Sequence, residues 1–127
     1  MIKVVGAVIE KEGSIFCAKR GPGKALAGLW EFPGGKLEDD ETAEEALVRE
    51  MEEEFSCRIL VKEKLLTIKH PYDFGTVELT TLLCELNEGE PRLSEHTDMR
   101  WMSVRELVDL EWAPADVPTV ELLLRRL

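Results

Sequence analysis

The sequence has no stretch longer than six residues without Asp, Glu, Lys or Arg. That leaves no room for a membrane-spanning helix or for the apolar segment of a secretory leader, and a cytoplasmic place is expected. Cysteine is scarce: Cys17, Cys57 and Cys84 are odd in number, far apart and not arranged as a CxxC pair. They are read as buried thiols, not as a disulfide framework, redox pair or zinc site. Basic residues are few as well, 16 against 26 acids, for a net charge of −10. Binding to a nucleic-acid polymer needs a basic surface that displaces counterions, so that class of function is disfavoured. No repeat, low-complexity tract or linker divides residues 1–127, and one domain is expected, large enough to bury roughly two-thirds of its unfolded surface.

The acidity is local. Residues 38–54 hold ten acids and one base, Arg49, whereas the other residues are close to neutral. A phosphate-bearing small substrate remains compatible with such a segment if divalent cations mediate.

Residues 2–10 read as a strand buried on both faces, and Lys11-Glu12-Gly13 as the turn into a second strand, 14–20. A loop follows to Gly28, then a short apolar piece, Leu29 to Phe32, ended by Pro33-Gly34-Gly35. From Thr42 to Phe55 the period changes: Leu47, Val48, Met51 and Phe55 fall on one stripe of an amphipathic helix. Thr42 with Glu45 fits a capping box, and Asp39 or Asp40 is an alternative cap. Residues 57–69 and 74–86 read as a strand pair joined by His70-Pro71-Tyr72-Asp73. A short strand at 99–102, a brief helix capped by Ser103 with Glu106, and a terminal helix 118–126 complete an α+β chain, a mixed β-sheet sandwiched between helices.

On the long helix Glu50, Glu53 and Glu54 gather beside the apolar stripe. Like charges at these spacings repel, and the helix C-terminus disfavours anions by roughly 0.3–1 kcal/mol, so the arrangement calls for a cation. Hard oxygen ligands suit Mg²⁺ or Mn²⁺. A plain solvated face is the alternative, which fits Glu44, Glu45 and Glu52. The preceding Gly34-Gly35 lets backbone approach an ion or a phosphate.

The run Gly35, Glu41, Arg49-Glu50-Met51, Glu53-Glu54 at these spacings resembles the Nudix box, and 28–36, Gly-Leu-Trp-Glu-Phe-Pro-Gly-Gly-Lys, is similar to the MutT-like branch of that family. Glu95, six residues ahead of Trp101, stands where this branch carries a further glutamate on a loop, and 113–116, Ala-Pro-Ala-Asp, resembles its base-recognition segment. Two departures stand out. Ser56 occupies the box glycine's place, at a cost of about 1 kcal/mol if the left-handed conformation is kept. The strand pair at 74–83 has no arginine where bacterial antimutator relatives offer one to the substrate.

The resemblance implies a Nudix fold and Mg²⁺-dependent hydrolysis of a nucleoside triphosphate to monophosphate and pyrophosphate, acting on (d)CTP-like or oxidised nucleotides such as 8-oxo-dGTP. Such an activity would serve nucleotide pool sanitation, hence DNA repair, or pyrimidine turnover. It further implies that Glu50, Glu53, Glu54, Glu95 and the Gly34 carbonyl hold the metal, with Mn²⁺ a substitute for Mg²⁺. The base role lies among Glu53, Glu50 and Glu95. Arg49 is expected to anchor Glu41 and aim the helix carboxylates. Arg20 and Lys36 are expected at substrate phosphate, and Phe32 and Asp116 at the base. Core packing is the alternative for Trp30, a surface salt bridge for Arg20 and helix capping for Asp116. His70 and His96 lack metal-ligand spacing and are given no catalytic role, although His96, beside Glu95, is placed at the pocket mouth. Other readings are a Nudix hydrolase of another nucleoside diphosphate derivative and a noncatalytic nucleotide-binding module. No membrane or protein partner is implied, and the chain is expected as a monomer or homodimer.

Overall fold

The N-terminal apolar run becomes the central strand β1 (Ile2–Lys11), in which Val5, Ala7, Val8 and Ile9 are all buried, as a strand covered on both faces requires. The structure, a computed structural model, describes residues 1–92 and 95–127. Along its length β1 pairs in parallel with β6 (Gly75–Glu88), from Ile2 opposite Val77 to Glu10 opposite Glu85. The other ladders, to β2 (Ser14–Arg20), β3 (Trp30–Glu31), β4 (Gly34–Lys36), β5 (Arg58–Tyr72) and β7 (His96–Ser103), are antiparallel, so the sheet is mixed. On its other edge β1 changes neighbour. Glu10 and Lys11 face Ile15 and Ser14 of β2, whereas Val4, Val5 and Gly6 face Lys36, Gly35 and Gly34 of β4. Between these two pairings β2 diverges toward β3 and β7, and the resulting fork is where the site lies.

Helix α1 (Ala43–Phe55) begins as its sequence dictates. Thr42 Oγ1 accepts the Glu45 N–H at 3.1 Å and Glu45 returns the favour to the Thr42 N–H at 2.9 Å, which settles the cap on Thr42 over Asp39 and Asp40. Ala46, Leu47, Met51 and Phe55 are buried against Ala7, Ile9, Phe16 and Leu82 of the sheet, with Phe55 edge-on to Phe16. The helix ends on Ser56 at φ 56°, ψ 36°, so the left-handed conformation is kept with a serine in it. The opposite face is covered by α2 (Val117–Arg125) and a 3-10 turn at Val104–Asp109, through Val8, Ile15, Trp30, Leu107, Trp112 and Val120. Buried Thr81 and Thr119 share a hydrogen bond at 2.9 Å, worth about 1 kcal/mol, that fixes α2 on β6. The sheet is thus sandwiched between helices.

Four expected boundaries are corrected. Gly34-Gly35-Lys36 is a strand on β1, not the close of a turn, because the absence of side chains lets it lie flat against β1. The segment His70-Pro71-Tyr72 is not a connection: it continues β5, and the turn is Asp73–Phe74. Strand β5 is at the sheet edge, where a proline without an N–H is tolerated. Strand β6 runs on to Glu88, and β7 starts at His96, ahead of the expected Met99. The three cysteines are free and buried, and burial pushes the Cys17 and Cys84 thiols up to about 12 and Cys57 up to about 11.

Candidate active site

One guanidinium organises the carboxylates of α1. Arg49 grips Glu41 with two nitrogens, Nε to Oε2 at 2.7 Å and Nη2 to Oε1 at 2.9 Å, a fork that fixes the plane of both groups. Nη2 also donates to the Lys36 carbonyl at 3.1 Å, tying α1 to β4. Nη1 is shared by Glu50 (3.0 Å) and Glu53 (3.3 Å), and Glu38 lies 3.7 Å away. The like-charge repulsion noted in the sequence is therefore partly answered inside the protein. A single positive charge faces four carboxylates, however, and the site keeps an excess of negative charge. Arg49 lowers the Glu41 carboxyl below its usual value, first through the side-chain hydrogen bond. Glu50 moves the other way: burial raises it, Arg49 opposes, and the charges of Glu54 and Glu53 add to the rise.

Glu50 occupies the space in front of Gly35, where an added Cβ would collide with its carboxylate, and a Cβ on Gly34 would collide with the Val5 carbonyl. These glycines are required by close approach, not by a turn. From this point a polar cleft extends past Glu54, Glu95, Arg20, Lys24 and Lys36. Glu95 is exposed and bound to Lys24 at 2.9 Å, an ion pair that lowers its carboxyl. Arg20 is not a free surface cation. Its Nη1 meets Glu31 Oε1 at 2.8 Å and its Nε donates to the Ala25 carbonyl at 2.6 Å, so the head is held beside the fork of the sheet.

Arg20, Glu31, Gly34, Gly35 and Lys36 line a second, apolar cavity of about 380 Å³ that continues from the cleft. Phe32 is one wall, packed on Trp112 at 4.7 Å between ring centroids. Asp116 is 6% exposed, and its Oδ1 accepts the Phe32 N–H at 3.2 Å. Its side chain makes no capping bond to α2, which disposes of that alternative. Burial, reinforced by the charge of Glu31, pushes the Asp116 carboxyl well above the usual range. Opposite lies Phe74, 51% exposed and stacked on Tyr72 at 5.0 Å, and Tyr72 in turn accepts the Ala115 N–H at 2.8 Å.

The structure gathers Gly34, Glu50, Glu54, Glu95, Arg20 and Lys36 on one cleft and Phe32 and Asp116 on the adjoining cavity. Glu53 does not line that cleft: it is 59% exposed, on the far side of Arg49. Trp30 is core, buried with Trp112 and Leu107. The sequence reading missed Glu31, Lys24, Tyr72 and Phe74. Only Glu31 left a signal, as the charged residue between Trp30 and Phe32 in an otherwise apolar strand. His70 packs on Tyr72 with its ring tilted by 52°, while His96 reaches into the cleft.

Among the described residues no three carboxylates already converge as a cage. The donor set nevertheless suits a divalent cation: hard oxygens only, an uncompensated negative charge, and a glycine backbone that Glu50 approaches without obstruction. No helix among the described residues is long and apolar enough to cross a membrane.

Comparison with known proteins supplies the family. The NUDIX domain profile matches residues 4–122. The chain is 37% identical over 121 residues to a CTP pyrophosphohydrolase of Escherichia coli, covering 95% of this chain and 90% of that protein. It is 36% identical over 123 residues to the 8-oxo-dGTP diphosphatase of the same organism, covering 95% and 94%. A solution structure of the DNA mismatch repair protein MutT, of the Nudix hydrolase family, from methicillin-resistant Staphylococcus aureus is 47% identical and superimposes with a TM-score of 0.82 over 98% of this chain and 96% of that one. With the family model matched over residues 4–122 and these likenesses running along almost its whole length, the chain belongs to the Nudix hydrolase family.

Proposed function

We propose that the chain hydrolyses a nucleoside triphosphate to the monophosphate and pyrophosphate with Mg²⁺, for which Mn²⁺ can substitute, and that its substrates are cytosine or oxidised-guanine nucleotides. The observation that carries this reading is the continuity of two cavities of opposite character, one apolar and ending on a buried carboxyl, the other lined by carboxylates and cations. A nucleotide has the same two-part chemistry, and the names of the two Escherichia coli relatives fit it.

Glu50, Glu54, Glu95 and the Gly34 carbonyl are the groups that would hold the cation, with Glu53 joining from beside Arg49. The bound metal supplies charge neutralisation for the phosphates and for the bond that breaks. Arg49 keeps the helix carboxylates aimed, and Arg20 and Lys36 meet phosphate oxygens. A carboxylate among Glu53, Glu50 and Glu95 takes the proton of the attacking water as a new P–O bond forms, and the bridging P–O bond breaks to release pyrophosphate. Phe32 stacks on the base, and Asp116 can accept from an exocyclic amine or, protonated, donate to a ring acceptor.

The test is pyrophosphate release from CTP, dCTP, 8-oxo-dGTP, dGTP, ATP, ADP-ribose and a UDP-sugar, with and without Mg²⁺. One cytosine or oxidised-guanine triphosphate should exceed the others in kcat/KM by tens of times. Turnover of ADP-ribose or the UDP-sugar alone would move the assignment to another nucleoside diphosphate derivative. Binding without turnover would make the chain a nucleotide-binding module.

A further inference from the structure

His96 is the one histidine in the cleft, and it touches three parts of the site at once. The ladder between β2 and β7 slips there: Lys19 faces Asp98, but Arg20 faces His96, so Thr97 is the extra residue of a bulge. Bulges re-aim side chains, and this one directs His96 to β3, where its Nε2 lies 2.8 Å from Glu31 Oε2. The other oxygen of Glu31 holds Arg20. The imidazole rests on Phe55, 5.3 Å between centroids, the last residue of α1 and the neighbour of Glu54. Nδ1 is buried and has no partner among the described residues, so within that set the ring's hydrogen bonding is directed at Glu31.

Glu95 itself is fixed differently. Its carboxylate is exposed and bound to the exposed Lys24, a kind of pair worth about 0.2–1 kcal/mol, too little to set a loop. Its backbone is fitted closely: a Cβ on Gly21 would overlap the Glu95 carbonyl oxygen. Beside the ladder that pairs His96 with Arg20, the next residue anchors that backbone through a mostly buried ring joined to Glu31 of β3 and Phe55 of α1.

We propose that His96 is a positioning residue. By tying the start of β7 to Glu31 and resting on Phe55, it holds the Glu95 backbone where that carboxylate can join Glu50 and Glu54 on a cation. This rests on the reading of Glu95 as a cation ligand given above. Phe at this position keeps the ring on Phe55 and loses the bond to Glu31, whereas Gln can restore the donor.

The experiment compares His96→Phe, His96→Gln, Glu95→Gln and the His96→Phe/Glu95→Gln double variant. It reads kcat and KM on the best triphosphate, and Mn²⁺ affinity from electron paramagnetic resonance of the free ion without substrate. Removing an outer support of a ligand costs roughly 10- to 100-fold in metal affinity or activity. His96→Phe should lose that much in kcat and weaken Mn²⁺, with KM changed by about twofold at most. Glu95→Gln should do the same, and the double variant should be no worse than Glu95→Gln by more than about twofold, because both changes remove one function. His96→Gln should recover most of the loss. Multiplying losses in the double variant would overturn the proposal, as would unchanged Mn²⁺ binding in His96→Phe. Should His96→Phe fail to fold, a folded His96→Gln with weakened Mn²⁺ binding would also overturn it. If Glu95→Gln alone leaves turnover and Mn²⁺ affinity intact, the ligand reading of Glu95 fails, and this proposal with it.

Discussion

The Phe32 N–H and Asp116 Oδ1 are joined at 3.2 Å across 84 positions of sequence, so the residue ahead of α2 is attached to the link between β3 and the glycine pair. Asp116 also lines the apolar cavity, in a place where burial and Glu31 both penalise its charge.

That penalty has a sign. The native carboxyl titrates above its ordinary value, so between about 3.8 and that raised value the folded state retains a proton that the unfolded chain has released, and stability falls as pH rises through this window. Asp116→Asn removes the effect while keeping an acceptor for Phe32. Its thermal midpoint should exceed the parent's by a few degrees near pH 8 and match it near pH 4, while triphosphate selectivity changes. Scanning fluorimetry at both pH values decides, and equal midpoints at high pH would refute the argument.

Arg49→Lys keeps the charge but loses the two-nitrogen grip on Glu41 and the bond to the Lys36 carbonyl. We expect kcat to fall by about 10- to 100-fold with a smaller change in KM, because what is lost is alignment and not substrate binding. Glu41→Gln should show the same pattern more weakly. A Lys variant with normal kcat would mean that charge alone suffices.

A chelator should abolish turnover, and Mg²⁺ should restore it and raise the thermal midpoint, since a ligand of the folded state stabilises it by mass action. In Glu50→Gln the midpoint shift should largely vanish and turnover should drop by about 10²-fold or more. A full Mg²⁺ shift in that variant would place the cation elsewhere.

Ser56 holds φ 56° at the end of α1, a conformation that costs a residue with a Cβ about 1 kcal/mol relative to glycine. Ser56→Gly should therefore gain about that much in urea unfolding at unchanged slope. Loss of stability would mean that the serine hydroxyl contributes more than the backbone loses.

What could be read from the sequence is what is encoded locally. Helix α1, its Thr42 cap and the clustering of Glu50 and Glu54 follow from spacings of a few residues, whereas spacing leaves the left-handed end at Ser56 open. The spacing of Gly35, Glu41 and Arg49 made the site recognisable. The metal argument from repulsion was incomplete, because Arg49 offsets part of it, which only side-chain geometry reveals. Glu31, Tyr72, Phe74 and Lys24 escaped because their partners are distant in sequence: Glu31 meets His96 and Tyr72 meets Ala115 only once the sheet is assembled. Likewise Pro71 looked like a strand terminator until β5 proved to be an edge.

The parallel ladder between β1 and β6 also bears on how the chain reaches this state. Strand β1 has its longest partnership with Val77 to Glu85, which follow the whole of α1 in the chain. Until β6 arrives, one edge of an apolar strand is unpaired, and contacts of such separation make folding slow and intermediates prone to association. Nascent chains stalled before β6 should therefore be protease-sensitive and should depend on holding chaperones, whatever the stability of the finished enzyme.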